Sequence, residues 1–281
     1  MKVIVVHNPK SGGALSQNEL RAYFSKVHIT VHTFIDVTTD FKKHVAKYTE
    51  QTAMPIVGYG GDGTLGSVAS ELIGTPAIFA PLPGGTLNHF TKDLGINQDL
   101  QAAIARLPKA KIVPIDTASV NGRLFLNNSS IGLYPSSLAE RSRVESKLGK
   151  WPAAVYASIR ALVRFRLYTV TLSGESYTTP FIFVGNNHYD IDSLMARTVL
   201  NKGMLSVHMI TSHKRLSLFK IAFLSVFGRV KQANEFQSFE TEQLEIVINR
   251  RRVRVSFDGE HTTLNTPINY KIQKKSLKVL K

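Results

Sequence analysis

Three short segments hold the residue types from which a phosphate-binding site can be built. They are Asn8-Pro9-Lys10-Ser11-Gly12-Gly13, Gly60-Gly61-Asp62-Gly63-Thr64 and Leu82-Pro83-Gly84-Gly85-Thr86-Leu87-Asn88, and each combines glycine with a hydroxyl side chain. Glycine lets backbone N–H groups approach an anion, and a helix that begins at such a loop favours negative charge at its first turn. Asp62 needs a cation or a hydroxyl partner beside a phosphate, and a nucleotide carrying Mg²⁺ supplies the cation. Residues 58–63 also spell G-x-G-x-x-G, but Ile78–Leu82, about 20 positions on, offers no acidic residue to hold a ribose. A P-loop, with Lys before Ser/Thr, is absent. His188, in Asn186-Asn187-His188-Tyr189-Asp190-Ile191-Asp192, could join two carboxylates at a metal, although a polar loop between strands accounts for it more simply. No Ser–His–Asp triad can be assembled from the sequence.

Such loops must be carried by strands. Val3–Val6, Ile29–Thr33, Pro55–Val57 and Ala77–Ala80 are apolar or alternating runs, separated by helical spacing over Leu15–Val27, Lys42–Glu50 and Leu65–Ile73. That alternation predicts a parallel sheet with helices on both faces, and it brings all three loops to the carboxyl edge of the sheet. After Pro114 the texture changes. Segments 116–131, 168–186, 204–210, 237–248 and 250–257 are short and rich in β-branched and aromatic residues, with helical stretches near 135–166 and 214–231. They predict an antiparallel β-domain joined to the first by a tight boundary near residue 115.

Composition narrows the function classes. The 281 residues are 43% hydrophobic and include no Cys, which excludes disulfides, thiolate metal sites and thiol catalysis. No apolar run reaches the ~18 residues of a spanning helix, and the opening run is too short for a secretory signal. The net charge is +15. Residues 1–115 carry 11 basic and 8 acidic side chains, residues 116–281 carry 24 and 12, so the excess belongs to the second half. A basic half implies a polyanionic partner: nucleic acid, an anionic membrane surface or a phosphorylated substrate. Lys147–Tyr168 and Lys214–Lys231 interleave aromatic and basic residues as a membrane-surface segment would. Arg250-Arg251-Arg252 reads as a hairpin turn.

With NPKSGG at 8–13, GGDGT at 60–64, LPGGTLNHFTKDLGI at 82–96 and Phe257-Asp258-Gly259-Glu260 near the end, the chain resembles the diacylglycerol kinase catalytic-domain family. The likeness is strongest to its soluble bacterial lipid kinases, which also resemble sphingosine kinases. GGDGT alone is shared with NAD kinases and related to phosphofructokinases; the Gly-Thr-x-Asn loop and the late Asp-Gly-Glu narrow the likeness. The resemblance implies an NAD-kinase/phosphofructokinase-like α/β domain (1–115) and an antiparallel β-sandwich lipid-binding domain (116–266). The last strand, 267–281, returns to the first domain, and substrate enters the cleft between the two. It implies an ATP- and Mg²⁺-dependent lipid kinase, with Asn8, Ser11, Gly60, Gly61, Asp62, Gly63, Thr64, Gly85, Thr86, Asn88 and Glu260 at the nucleotide. Asp62 and Asp258 are the implied catalytic residues, Asp258 being the general base, and Asp116 joins the magnesium through water. A cytoplasmic enzyme that docks reversibly on anionic membrane is implied, with a lipid as substrate, a homodimer as a possible assembly and no nucleic-acid partner.

The chain also departs from that pattern. His89 stands where the family reads Asp, Gly66-Ser67 where many members have Asn-Glu, and Gly13 where a basic residue is common. Asn201-Lys202-Gly203-Met204-Leu205 replaces an Asp-Gly-x-Leu whose carboxylate serves a structural magnesium. The Lys202 ammonium is expected to take over that charge by pairing with Asp190 or Asp192. These departures support an alternative, a lipid- or nucleotide-binding homologue of weak or absent catalysis. NAD kinase is a second alternative, although the Ser/His motif expected after GGDGT is missing.

Overall fold

The computed structural model describes every residue except 10–14, 40, 51–52, 133–166, 173, 191–195, 198 and 212–232. Ser11, the helical stretches 135–166 and 214–231, and with them nearly all of both membrane-surface segments, therefore lie outside the described residues. By its internal contacts the chain divides into Met1–Thr117 with Gln273–Lys281, and Ala118–Ile272.

The first unit alternates strand and helix: β1 (Lys2–His7), α1 (Gln17–Lys26), β2 (Thr30–Asp36), α2 (Phe41–Ala46), β3 (Ile56–Gly60), α3 (Asp62–Leu72), β4 (Ile78–Pro83), α4 (His89–Asp93) and α5 (Leu100–Arg106). The strands pair in parallel in the order β2-β1-β3-β4. Every residue of β3 and β4 is buried, as expected of central parallel strands covered on both faces. Leu20 and Phe24 of α1 and Ala103 and Ile104 of α5 share a core with Val5, Val57, Tyr59 and Ala80. Side chains alternate along a strand, so Gly58 and Phe79 face the other way, and there Leu65 of α3 approaches them. Helices therefore cover both faces. α1 starts at a capping box: Glu19 N donates to Ser16 Oγ (3.3 Å) and Ser16 N to the Glu19 carboxylate (2.8 Å).

The strands that follow are β5 (Ile112–Val120), β6 (Arg123–Phe125), β7 (Asn128–Gly132), β8 (Tyr168–Leu172), β9 (Glu175–Thr179), β10 (Phe181–Asn186), β11 (Tyr189–Asp190), β12 (Ala196–Arg197), β13 (Leu205–Ile210), β14 (Phe236–Thr241), β15 (Gln243–Ile248), β16 (Arg252–Phe257), β17 (Glu260–Asn265) and β18 (Ile268–Leu280). The second unit contains an antiparallel sheet ordered β14-β13-β10-β7-β16-β17. A second antiparallel array runs β9-β8-β15 and on to the first half of β18. Both contribute to one apolar core, with Ile131, Val184, Val207 and Val255 from the first and Val170, Leu244, Ile246 and Tyr270 from the second. This is the antiparallel β-domain expected from the sequence, arranged as the β-sandwich that the resemblance implies. β15 shows the expected alternation, with Leu244, Ile246 and Ile248 buried and the residues between them exposed. β18 belongs to both units: Ile268–Lys271 pair with β15, and Lys278–Val279 pair in parallel with β4.

Arg250–Arg252 do not form a hairpin turn. β15 is already flanked by β8 and β18, so the chain crosses at the arginines to the other sheet, where β16 pairs with β7 and β17.

Candidate functional site

In the first unit the loops after β1, β3 and β4 are fastened to one another. Asn8 Nδ2 donates to Thr64 Oγ1 (3.3 Å), and Gly84 N donates to Gly60 O (3.0 Å). The glycine pairs exist because backbone meets backbone. A Cβ on Gly84 would sit 2.8 Å from Gly60 N, and one on Gly85 only 2.5 Å from Gly61 Cα. Gly61 caps α3 in an extended conformation without any side-chain acceptor, so the N–H groups of the first turn of an eleven-residue helix point from a wall of bare backbone. The partial positive charge of a helix start favours negative charge beside these N–H groups.

Asp62 has partners that its local sequence does not reveal. Its carboxylate accepts from His89 N (3.1 Å) and Phe90 N (3.0 Å), so it caps α4 from 27 and 28 residues away. The cation or hydroxyl expected beside it is therefore not needed to stabilise the charge, although each oxygen keeps a further lone pair. Asn88 is buried, adopts the left-handed conformation (φ 52°) and accepts from Gly85 N (2.9 Å) through Oδ1. That oxygen shapes the loop rather than projecting from it. Thr86 and His89 are exposed, Gly63 is half-buried, and Thr64 is buried against Asn8. Asp116, 2% exposed, accepts from Lys275 N (2.7 Å), at a residue of β18 with positive φ. Among the described residues no three His, Asp or Glu side chains come close enough to hold a metal as a group.

In the second unit Asp258 and Gly259 form the two-residue turn between β16 and β17, with Phe257 opposite Glu260. Both have positive φ (48° and 86°), as a type I′ hairpin turn requires, and Asp-Gly is a favoured pair for it. The turn is anchored by side chain and backbone alike. Asp258 Oδ2 accepts from Leu126 N (2.6 Å), and Oδ1 accepts from Asn127 N (2.8 Å) and Asn128 N (3.2 Å); Asp258 N donates to Asn128 O (3.0 Å). Burial pushes the carboxyl up from its ordinary 3.8 to about 6, against the three N–H groups and the Arg197 charge, which pull it down. Oδ2 accepts only one of the three bonds, so it retains a site for a further proton. Glu260 is exposed.

Of the two aspartates expected to pair with Lys202, Asp192 lies outside the described residues. Lys202 Nζ lies 2.8 and 2.7 Å from the two oxygens of Glu240, which also meets His188 Nδ1 at 2.9 Å. Both basic side chains hold Glu240 below the usual carboxylate range. The backbone N–H groups of Lys202 and Gly203 donate to Asn187 Oδ1 (2.7 and 3.0 Å). Among the described residues, an ammonium on the Glu240 carboxylate and N–H donors on the Asn187 amide oxygen make a donor set that does not fit a structural magnesium.

The sequence of residues 2–120 matches the diacylglycerol kinase catalytic domain. Over 242 residues the chain is 27% identical to a protein of Staphylococcus carnosus provisionally named a lipid kinase, covering 79% of this chain and 74% of the relative. A YegS-like protein of Cronobacter sakazakii, also provisionally named a lipid kinase, is 24% identical over 189 residues, 63% of each chain. The fold is that of a solved diacylglycerol kinase from Bacillus anthracis, with a TM-score of 0.75 at 22% identity over 99% of this chain and 96% of that one. A second structure from that organism gives 0.73, with the same identity and coverage.

Proposed function

We propose that the chain is an ATP- and Mg²⁺-dependent lipid kinase that phosphorylates a hydroxyl of a diacylglycerol-like lipid. The observation that carries the nucleotide half of this reading is the uncapped N-terminus of α3, walled by the Gly60-Gly61 and Gly84-Gly85 backbones. Backbone N–H groups of residues 61–64 would take the phosphates. Bound Mg²⁺, held from the protein side by Asp62, would offset the negative charge of the phosphates.

Asp258 supplies the other half. A general base works best with a pKa near the operating pH, and burial brings this carboxyl to about 6. In the proposed step the lipid hydroxyl oxygen bonds to the terminal phosphorus of ATP, its proton passes to Asp258 Oδ2, and the bond to the leaving ADP oxygen breaks. Three N–H donors fix the carboxylate in place, so little reorganisation accompanies the transfer.

The excess basic charge of residues 116–281 supports reversible docking on an anionic membrane, where such a lipid resides. Among the described residues no helix is long and apolar enough to cross a membrane. Asp258→Asn tests the assignment: transfer from labelled ATP to lipid is expected to vanish while nucleotide affinity stays within about twofold. Near-normal transfer would remove Asp258 as the base.

A further inference from the structure

Arg197 is the one buried arginine among the described residues, at 6% exposure. It lies on β12, opposite Tyr189 of β11, with its guanidinium 5.9 Å from the Tyr189 ring centre. Nη1 donates to Leu126 O (2.5 Å) and Asn186 O (3.4 Å), and Nη2 donates to Asn127 Oδ1 (3.1 Å). Asn186 Nδ2 reaches the same Leu126 O at 2.8 Å.

These contacts meet Asp258 through a single peptide unit. The Leu126 carbonyl and the Asn127 N–H belong to one planar trans amide and point in opposite directions. Arg197 holds the carbonyl end of that amide, and Asp258 Oδ1 holds the N–H end at 2.8 Å. A cation on the carbonyl polarises the amide and strengthens donation from its N–H. The fork also grips the Asn127 side chain, so residues 126 and 127 are fixed from the side opposite the carboxylate.

We propose that Arg197 is a positioning residue for Asp258, fixing the Leu126–Asn127 peptide whose N–H groups aim the carboxylate. The inference rests on the reading of Asp258 as the base only for its effect on turnover. Its effect on Asp258 itself can be measured separately. Among the described residues Arg197 supplies the charge that acts on Asp258; the other groups facing it are the Leu126, Asn127 and Asn128 N–H donors. Glu260 and His261, next along the hairpin, are exposed, and the Tyr270 hydroxyl lies 3.0 Å from Ser129 Oγ.

The test is a carbon-13 NMR titration of the Asp258 carboxyl in the full chain, beside the pH profile of kcat/KM. Arg197→Gln is expected to raise the Asp258 midpoint by about one pH unit, and the acidic limb of kcat/KM with it. Arg197→Lys keeps the charge but reaches only one acceptor. It is expected to hold the midpoint, shift the amide resonances of residues 126–128 and lower kcat at unchanged KM for ATP. A purely structural arginine would lower Tm in both variants and leave the midpoint in place, which would overturn the proposal. If Arg197→Gln does not fold, Arg197→Lys decides alone: unmoved amide resonances overturn the proposal, and moved ones with reduced kcat uphold it. Failure of the base reading looks different, because wild-type kcat/KM would then ignore the Asp258 midpoint while Arg197→Gln still moved that midpoint.

Discussion

Raising the pH through 6 should make this protein more active and less stable, and both effects should trace to Asp258. Desolvation lifts its carboxyl from 3.8 to about 6. Roughly two pH units correspond to about 3 kcal/mol between the protonated and ionised native states. Because the native state binds this proton more tightly than the unfolded chain, the stabilisation is fully present below pH 3.8. It is lost as pH rises through about 6. Catalysis needs the opposite form, since only the carboxylate can take the hydroxyl proton, so kcat/KM should fall about tenfold per pH unit below the midpoint. The assay pairs urea unfolding with kcat/KM from pH 4 to 8, for wild type and Asp258→Asn. Subtracting the variant removes His7 and Glu240, both held below their ordinary values. The wild-type stability advantage over Asp258→Asn should shrink by about 3 kcal/mol between pH 4 and pH 7. A difference that is flat, or that grows with pH, would show that the three N–H bonds outweigh desolvation, and the argument for a base near neutrality would fail.

Three further outcomes follow from the loops and the Lys202 cluster. Gly85→Ala drives a Cβ to 2.5 Å from Gly61 Cα and should cost about 2–3 kcal/mol with loss of ATP binding, whereas Gly61→Ala meets only an ordinary 3.5 Å contact and should cost less than about 1 kcal/mol; denaturation and nucleotide titration check both. Asp62→Ala removes both N–H acceptors at the start of α4, so stability should fall by about 1–2 kcal/mol together with Mg²⁺-dependent ATP affinity, read by calorimetry with and without the metal. Because Lys202 occupies Glu240, a chelator should leave the Tm of the nucleotide-free protein unchanged; a fall reversed by added Mg²⁺ would show that an ion holds this loop.

The features legible in the sequence are those written locally. Glycine loops after apolar runs announce strand–loop–helix units. What stayed hidden depends on distant partners. Asp62 finds its donors 27 and 28 residues on, Lys202 finds Glu240 after 38, and Arg197 reaches Leu126 across 71. Two aspartates near Lys202 suggest a local pairing, whereas its Glu240 contact depends on the β13–β14 register, which sets Glu240 opposite Ser206. The arginine run failed as a hairpin for a similar reason: local turn chemistry does not show which sheet has an open edge. Arg197 carries no motif, and its importance is set by burial alone.

A lipid kinase must deliver phosphate to lipid. The full chain should be incubated with γ-labelled ATP and Mg²⁺ against vesicles of anionic phospholipid containing diacylglycerol, other hydroxyl lipids in turn, and NAD in a separate arm. Label is expected to extract with a diacylglycerol-like lipid and to be lost in Asp258→Asn. Label in no lipid while ATP remains bound, or label found in NAD instead, would contradict the lipid-kinase reading.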